Sequence, residues 1–309
     1  MKEFSIDNKQ QYEMPKGRDV LVRNFYFRHA EKASAVIGDV KTGEISKSAI
    51  SSNGKRESLM LGNQMPELAE QIEVGWSGID RSLETIEAKI EGDQKDSRNI
   101  FAKEHPELAG LAPEEWAKLY IIKWEENKRE ILNKRKISEK KYPILPPGEQ
   151  AEISEIAEEP VISEWINDQN SDLAKLNPPE NVAANIAVLI REDIEKPEEL
   201  ESGSKLDQLR GTHKTIMEPL LMRVLKLENG QKPKTLEEIG GSLGLNDGFE
   251  IDSYIDRVGE KRLKFIMYRA VRSEPGEGIT FIKKEFNIDL DELNRLADFG
   301  IELRNKKEK

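Results

Sequence analysis

The 309-residue sequence contains no cysteine. Disulfide bonds, thiolate zinc sites and cysteine nucleophiles are therefore excluded, and the composition fits a reducing compartment. Histidine is also scarce, with three residues in the chain. Because three histidines and no cysteine leave little for a conventional transition-metal site, we expect no metal site and no other cofactor.

Long apolar runs are missing as well. No apolar stretch approaches the roughly 20 residues that cross a bilayer, and the start of the chain, MKEFSIDNKQQYEMPKGR, has no apolar signal core. These absences predict a cytoplasmic protein with no membrane partner. Residues 1–17 are polar and end in Pro15 and Gly17, which is typical of a flexible arm ahead of the first ordered element.

Positive charge is in deficit, since 59 acidic residues outweigh 48 basic ones and the net charge is -11. The chain has no overall positive field to attract a nucleic-acid backbone, so we expect no nucleic-acid partner. A cationic pocket in such a protein has to be built from a few specific arginine, lysine and histidine residues.

Residues 18–92 alternate between strand and helix patterns. Short runs rich in valine and aromatic residues predict strands, and polar capping residues followed by apolar residues at helical spacing predict helices. The predicted elements are a strand at Asp19–Phe27, a helix after Ile50, a strand at Gln71–Gly78 and a helix at Asp80–Gly92. This alternation predicts an α/β fold with a mostly parallel central sheet flanked by helices.

The character of the chain changes between residues 93 and 204. This part is charged and helical in pattern, with a proline-rich interruption, KYPILPPGEQ. Strand patterns return at Lys205–His213, followed by a helix, and again at Leu263–Val271. We therefore predict an α/β core formed by residues 18–92 and 205–309, and a helical insertion at 93–204 that caps the core. The alternative for the insertion is a remote helical extension that forms oligomer contacts.

Two of the three histidines follow predicted strands. His29 comes directly after the first strand and His213 ends the strand at 205–213, while Arg28 adjoins His29 and Arg81 follows the second strand. Ligands of open α/β sheets bind beyond the carboxyl ends of the strands, so these side chains are candidates for one site. Two guanidiniums and two imidazoles suit a phosphoryl group. From residue pattern alone, two unrelated loop histidines remain an equal alternative.

Four segments, in order, resemble the histidine phosphatase superfamily, which includes phosphoglycerate mutase. They cover about residues 18–90 and 205–270, and the chain departs from the family pattern at Ala30, Lys32, Ser82 and Lys214. The similar segments are RHAEK at 28–32, ISSNGKRESLMLG at 50–62, SGIDRSLET at 77–85 and GTHKTIMEPLL at 211–221. The resemblance implies a three-layer α/β sandwich.

The resemblance also implies a reaction. His29 would attack phosphorus and form a phosphohistidine, while Arg28, Arg81 and a protonated His213 would bind the phosphoryl group. The substrate would be a phosphorylated small molecule or a phosphoprotein, and we favour hydrolysis of a phosphomonoester. Two alternatives remain open: a phosphomutase of the same superfamily, and a catalytically silent module that binds phosphate or protein.

The proton donor for the leaving group is less well defined. The segment HPELAGLAPEEW at 105–116 is similar to the part of the family that supplies a catalytic carboxylate, which implies Glu107. A solvated, non-catalytic Glu107 is an equal alternative, and Glu31 is the second candidate. His105 precedes Pro106 in a predicted loop, where we expect a surface residue rather than a third catalytic imidazole.

Overall fold

The computed structural model of the chain describes residues 16–33, 49–94, 98–109, 112–272 and 278–307. Residues 1–15 of the predicted arm lie outside this range. Lys16 forms an isolated β-bridge with Glu201. Among the described residues, no helix combines the length and apolar character needed to cross a membrane.

The centre of the described fold is an eight-stranded mixed sheet with the order β3-β2-β4-β1-β6-β7-β8-β5. The strands β3, β2, β4 and β1 are parallel, and the remaining strands pair antiparallel. The strands are β1 Val20–Arg28, β2 Gln71–Trp76, β3 Asn99–Glu104, β4 Lys205–Thr212, β5 Leu225–Lys226, β6 Gly248–Ile255, β7 Lys261–Arg272 and β8 Ile279–Ile288.

Helices cover both faces of the sheet and complete the predicted three-layer α/β fold. The α-helices are α1 Ser52–Gly62, α2 Asp80–Gly92, α3 Glu114–Lys134, α4 Pro147–Asn167, α5 Asp172–Leu176, α6 Pro179–Glu195, α7 Lys214–Val224 and α8 Leu290–Lys307. Successive side chains of β1 point to opposite faces. Phe25 and Phe27 pack with α1 and α2, whereas Tyr26 packs in the core formed with α6, α7 and α8.

The parallel strands bring the predicted site residues to one edge of the sheet. Arg28 at the end of β1 pairs in register with Thr212 at the end of β4, and Trp76 at the end of β2 pairs with Gly211. The residues that follow these strands therefore leave the sheet side by side.

The predicted boundaries of the helical insertion need correction. Strand β3 lies inside residues 93–204 and pairs with β2, and α6 packs in the same apolar core as α7 and α8. The sequence of β3, NIFAKE, is exposed along its whole length because it is the sheet edge, so no apolar alternation marked it as a strand. Helices α3, α4 and α5 pack against one another, with Trp116 and Trp165 in edge-to-face contact at 5.2 Å between ring centroids.

Candidate active site

Four of the predicted residues, Arg28, His29, Arg81 and His213, line one cavity of about 180 Å³. It lies beyond the carboxyl ends of β1, β2 and β4, and its outer wall comes from α3 and α4. The described residues around it also include Glu31, Lys32, Ile79, Trp116, Tyr120, Ala151, Glu155, Glu158, Lys214 and Leu245.

Main-chain hydrogen bonds fix the segment that carries His29. The His29 N–H donates to the carbonyl of Thr212 at 3.1 Å, which ties it to the residue before His213. The Ala30 N–H donates to Thr85 Oγ1 at 2.9 Å, and the Thr85 hydroxyl donates to the carbonyl of Arg81. The positions of both histidines and of Arg81 are therefore coupled through the backbone.

The hydrogen bond of His29 defines its tautomer. Nδ1 lies 2.8 Å from the carbonyl oxygen of Ala30, which can only accept, so Nδ1 carries the proton and Nε2 carries the lone pair. Burial lowers the pKa of His29 well below its usual value, and Arg81 and His213 lower it further. At neutral pH the imidazole is neutral, as a nucleophile requires.

A chain of hydroxyl groups orients His213. Its Nε2 lies 2.8 Å from Ser77 Oγ, which lies 2.9 Å from Ser82 Oγ. Because the Ser82 hydroxyl donates to the carbonyl of Ile79, the Ser77 hydroxyl donates to Ser82 and accepts from His213 Nε2. Nδ1 of His213 is thus the nitrogen that can gain a second proton.

Burial and neighbouring cations keep His213 neutral in the free site. Burial lowers its pKa well below the usual value, with further lowering by Arg81 and Arg28. The His213 ring lies edge-on to that of His29, with 5.2 Å between ring centroids. The protonated His213 implied by the family resemblance therefore needs an added negative charge in the cavity, such as a phosphoryl group.

Arg28 is buried and is paired with carboxylates of α4. Its two terminal nitrogens donate to the two carboxylate oxygens of Glu155 at 2.6 and 2.8 Å, and one of them lies 3.4 Å from Glu158. The carbonyl of Leu243 also accepts from Arg28 at 2.7 Å. Phosphate binding by Arg28 can therefore use Nε, which has no hydrogen-bond partner among the described residues, or a terminal nitrogen that Glu155 releases.

Arg81 begins α2 and is 3% exposed. Burial lowers its pKa to about 10, with a further contribution from Arg28, so its guanidinium remains charged at neutral pH. Lys214, directly after His213, lies 3.6 Å from Glu158 and 3.5 Å from Glu159. The cationic side of the cavity is thus matched by acidic side chains on α4.

Pattern analysis of the sequence missed Glu155 and Glu158 on α4. They belong to a helix more than 120 residues from Arg28, and many glutamates of this acidic chain are solvated. The helical spacing of the apolar residues of α4 could have indicated the position of Glu158. Ala157, Val161 and Ile162 are buried, and the neighbouring Glu158 lies on the same buried side of the helix.

Glu107, the first candidate for the proton donor, does not line this cavity. It lies in a short 3-10 helix after β3, pairs with Arg304 of α8 at 3.2 Å and borders a different pocket. Glu31, the second candidate, does line the cavity. His105 is largely buried rather than at the surface, and burial lowers its pKa, but it is not among the residues that line the cavity.

The described ranges offer no conventional metal site. They contain no cluster of three or more histidine, aspartate or glutamate side chains placed to hold a metal ion. The cationic groups described above supply the positive charge of the cavity.

Comparisons with known proteins give matches at the level of structure. The apo phytase of Hafnia alvei aligns with a TM-score of 0.50 at 10% identity, covering 94% of this chain and 97% of the phytase. This chain has the fold of that phytase. The resemblance of the four segments is thereby confirmed for the fold, in which the cavity occupies the carboxyl ends of the parallel strands.

Two further solved structures align with lower TM-scores. A phosphoglycerate mutase from Bacillus anthracis aligns at 11% identity over 80% of this chain and 93% of its own, with a TM-score of 0.38. A mycobacterial glucosyl-3-phosphoglycerate phosphatase aligns at 14% identity over 79% and 97%, with a TM-score of 0.39. No family model and no curated protein sequence matches the chain.

Proposed function

We propose that this protein hydrolyses phosphomonoesters through a phosphohistidine on His29. The observation that carries the proposal is the tautomer of His29, whose Nε2 lone pair belongs to a neutral imidazole in a cavity that also holds Arg28, Arg81 and His213. A phosphoryl group needs a nucleophile and several cationic donors, and this cavity supplies both.

The proposed roles follow from the contacts. His29 Nε2 attacks phosphorus, Arg81 stabilises the equatorial oxygens, and His213 gains a proton at Nδ1 as the dianion enters. Arg28 donates to the phosphoryl group from Nε, which has no partner among the described residues, or from a terminal nitrogen released by Glu155. Water then attacks the phosphohistidine and releases phosphate.

Turnover of 4-nitrophenyl phosphate tests this function. We expect equal amounts of nitrophenol and inorganic phosphate from the purified protein. Nitrophenol without stoichiometric phosphate, or rapid exchange of phosphoglycerates with a bisphosphate primer and little free phosphate, would favour a mutase. Binding of orthovanadate without turnover of any phosphomonoester would favour a silent phosphate-binding module.

Replacing His213 with alanine is expected to reduce kcat by at least about 10²-fold, the usual scale for loss of one donor to transition-state charge. Comparison with His213→Gln, which keeps one N–H donor but cannot become a cation, separates the hydrogen bond from the charge. An effect on KM alone would limit His213 to ground-state binding.

We also propose that α3 and α4 cap the site and select substrates. Trp116 of α3 and Ala151 of α4 line the cavity. Ala151, Glu31, Glu155 and Leu245 also border a second cavity of about 950 Å³. The part of a substrate beyond its phosphate would extend from the first cavity into the second.

The substitution Ala151→Trp is expected to narrow the passage between the two cavities. For a bulky phosphomonoester, kcat/KM should fall by at least about tenfold, whereas that of a small aryl ester should change little. Initial rates with phenyl phosphate and with a large polycyclic aryl phosphate check this expectation. Equal effects on the two esters would argue against selection by this wall.

A further inference from the structure

Two carboxylates of the candidate site accept hydrogen bonds at both oxygens. Glu31 accepts from the Ser51 hydroxyl at 2.7 Å and from the Asn53 amide at 3.3 Å. Glu155 accepts from the two terminal nitrogens of Arg28. Both oxygens of each carboxylate are already used as hydrogen-bond acceptors, so neither group presents an O–H to a leaving group.

Both oxygens of Glu158 also face donors. One oxygen accepts from the Tyr120 hydroxyl at 2.6 Å, and the other lies near Arg28 and Lys214. The charges of Lys214 and Arg28 lower the pKa of Glu158 despite its burial, which acts in the opposite direction and is the largest single influence. Since Glu107 lies elsewhere, the carboxylates of the described cavity leave the proton donor unassigned.

The arginine, histidine and lysine side chains of the cavity are the next candidates for the proton donor. Arginine does not give up its proton in proteins, His29 is the proposed nucleophile, and the proton that His213 gains with the substrate is assigned to the phosphoryl oxygens, which the protonated imidazole stabilises. Lys214 is held between Glu158 and Glu159. Lys32, three residues after His29 and on the same cavity wall, is the other amine.

We propose that Lys32 is the general acid that protonates the leaving-group oxygen. This inference rests on the proposed phosphohistidine mechanism. As His29 Nε2 forms its bond to phosphorus, the bond from phosphorus to the ester oxygen breaks and the Lys32 ammonium transfers a proton to that oxygen. The neutral amine then takes a proton from the attacking water as the bond from Nε2 to phosphorus breaks, which restores both residues.

The electrostatic surroundings of Lys32 suit this role. Burial lowers its pKa to about 8, and Arg81 and Arg28 lower it further, against the attraction of Glu158 and Glu155. At neutral pH the side chain is an ammonium that gives up its proton more readily than an exposed lysine. General acids work best when their pKa lies near the operating pH.

Two substrates with different leaving groups test the proposal. The phenolate of 4-nitrophenyl phosphate leaves without a proton, whereas the alkoxide of glycerol 2-phosphate needs one. Lys32→Arg keeps the positive charge but cannot donate near neutral pH, and Lys32→Met removes both charge and proton. Lys55→Arg, on the exposed face of α1, is the matched control.

The decisive quantity is the ratio of kcat/KM for the alkyl ester to kcat/KM for the aryl ester. It is measured on one sample, so a partly misfolded variant does not distort it, and pH effects common to both substrates cancel. We expect Lys32→Arg and Lys32→Met to lower this ratio by at least about 10²-fold, and Lys55→Arg to leave it unchanged. In the unmodified protein the ratio should fall as pH rises through about 8, as Lys32 loses its proton.

Equal losses for both esters would overturn the proposal and make Lys32 a phosphate-binding group. Unchanged rates would exclude Lys32 from the reaction. Both results differ from failure of the proposed function, which would appear as no turnover of 4-nitrophenyl phosphate by the unmodified protein.

Discussion

Alanine in place of His29 is expected to reduce turnover of 4-nitrophenyl phosphate by at least about 10⁴-fold, because removal of a nucleophile eliminates the covalent route. The fold should persist. His29 follows β1 rather than filling the apolar core, and the backbone hydrogen bonds of residue 29 to its neighbours do not need the imidazole.

His105→Ala is the matched control for this substitution. His105 is also largely buried and follows a parallel strand, but it does not line the cavity, so turnover should stay near that of the unmodified protein. Circular dichroism and urea unfolding would establish that both variants are folded. Substantial turnover by folded His29→Ala protein would contradict the proposed mechanism.

Lys89→Met is expected to raise the free energy of unfolding at neutral pH by about 4 kcal/mol, since each unit of pKa shift corresponds to about 1.4 kcal/mol. Lys89 of α2 is fully buried among apolar side chains, with Nζ 4.4 Å from the centre of the Phe27 ring and 5.0 Å from that of Phe281. Within the described residues Nζ has no hydrogen-bond partner. Burial lowers the pKa of Lys89 from 10.5 to about 7.

The sign of the pH dependence follows from this lowered pKa. Between about pH 7 and 10.5 the unfolded chain binds a proton at Lys89 that the folded chain does not bind, so stability rises with pH in that window. Below about pH 7 the buried Lys89 destabilises the folded chain by the full amount, and above pH 10.5 this destabilisation disappears. The advantage of Lys89→Met should therefore shrink as the pH is raised from 7 towards 10.

Urea unfolding at pH 7 and pH 10 measures this difference. Lys55→Met is the control, since Lys55 of α1 is exposed and its replacement should change stability little at either pH. A Lys89→Met protein that is less stable at pH 7, or whose advantage does not depend on pH, would show that the buried amine is not the destabilising group.

The spacing of apolar residues in the sequence was sufficient to predict the parallel half of the sheet and its helices, apart from the edge strand β3. The predicted strands at 19–27 and 71–78 correspond to β1 and β2, and the predicted helix at 80–92 corresponds to α2. These elements bury one or both faces, so their apolar residues recur with a clear period. Strand β3 buries none of its residues, and β8 alternates apolar and charged residues only in part, so both were missed.

In the candidate site, too, residues marked by the local sequence pattern were predicted, and residues placed by tertiary packing were not. The sequence was enough to predict that four side chains share one site, because each of them follows or adjoins the end of a parallel strand. These residues are Arg28, His29, Arg81 and His213. Glu155 was missed because its place beside Arg28 depends on how α4 packs. Glu107 does not line the cavity, because the chain after β3 places it beside Arg304. Lys89 was missed because a lysine beside an apolar helix face normally reaches solvent.

Trapping the phosphorylated protein is the most direct test of whether His29 forms a phosphohistidine. The unmodified protein would be mixed with substrate, quenched in alkaline denaturant within the first turnover, digested and analysed by mass spectrometry. The proposed phosphohistidine mechanism predicts one phosphoryl group on His29, stable in base, lost in acid and absent from His29→Ala protein. Turnover with no phosphorylated His29, or an acid-stable phosphoryl group on another residue, would contradict it.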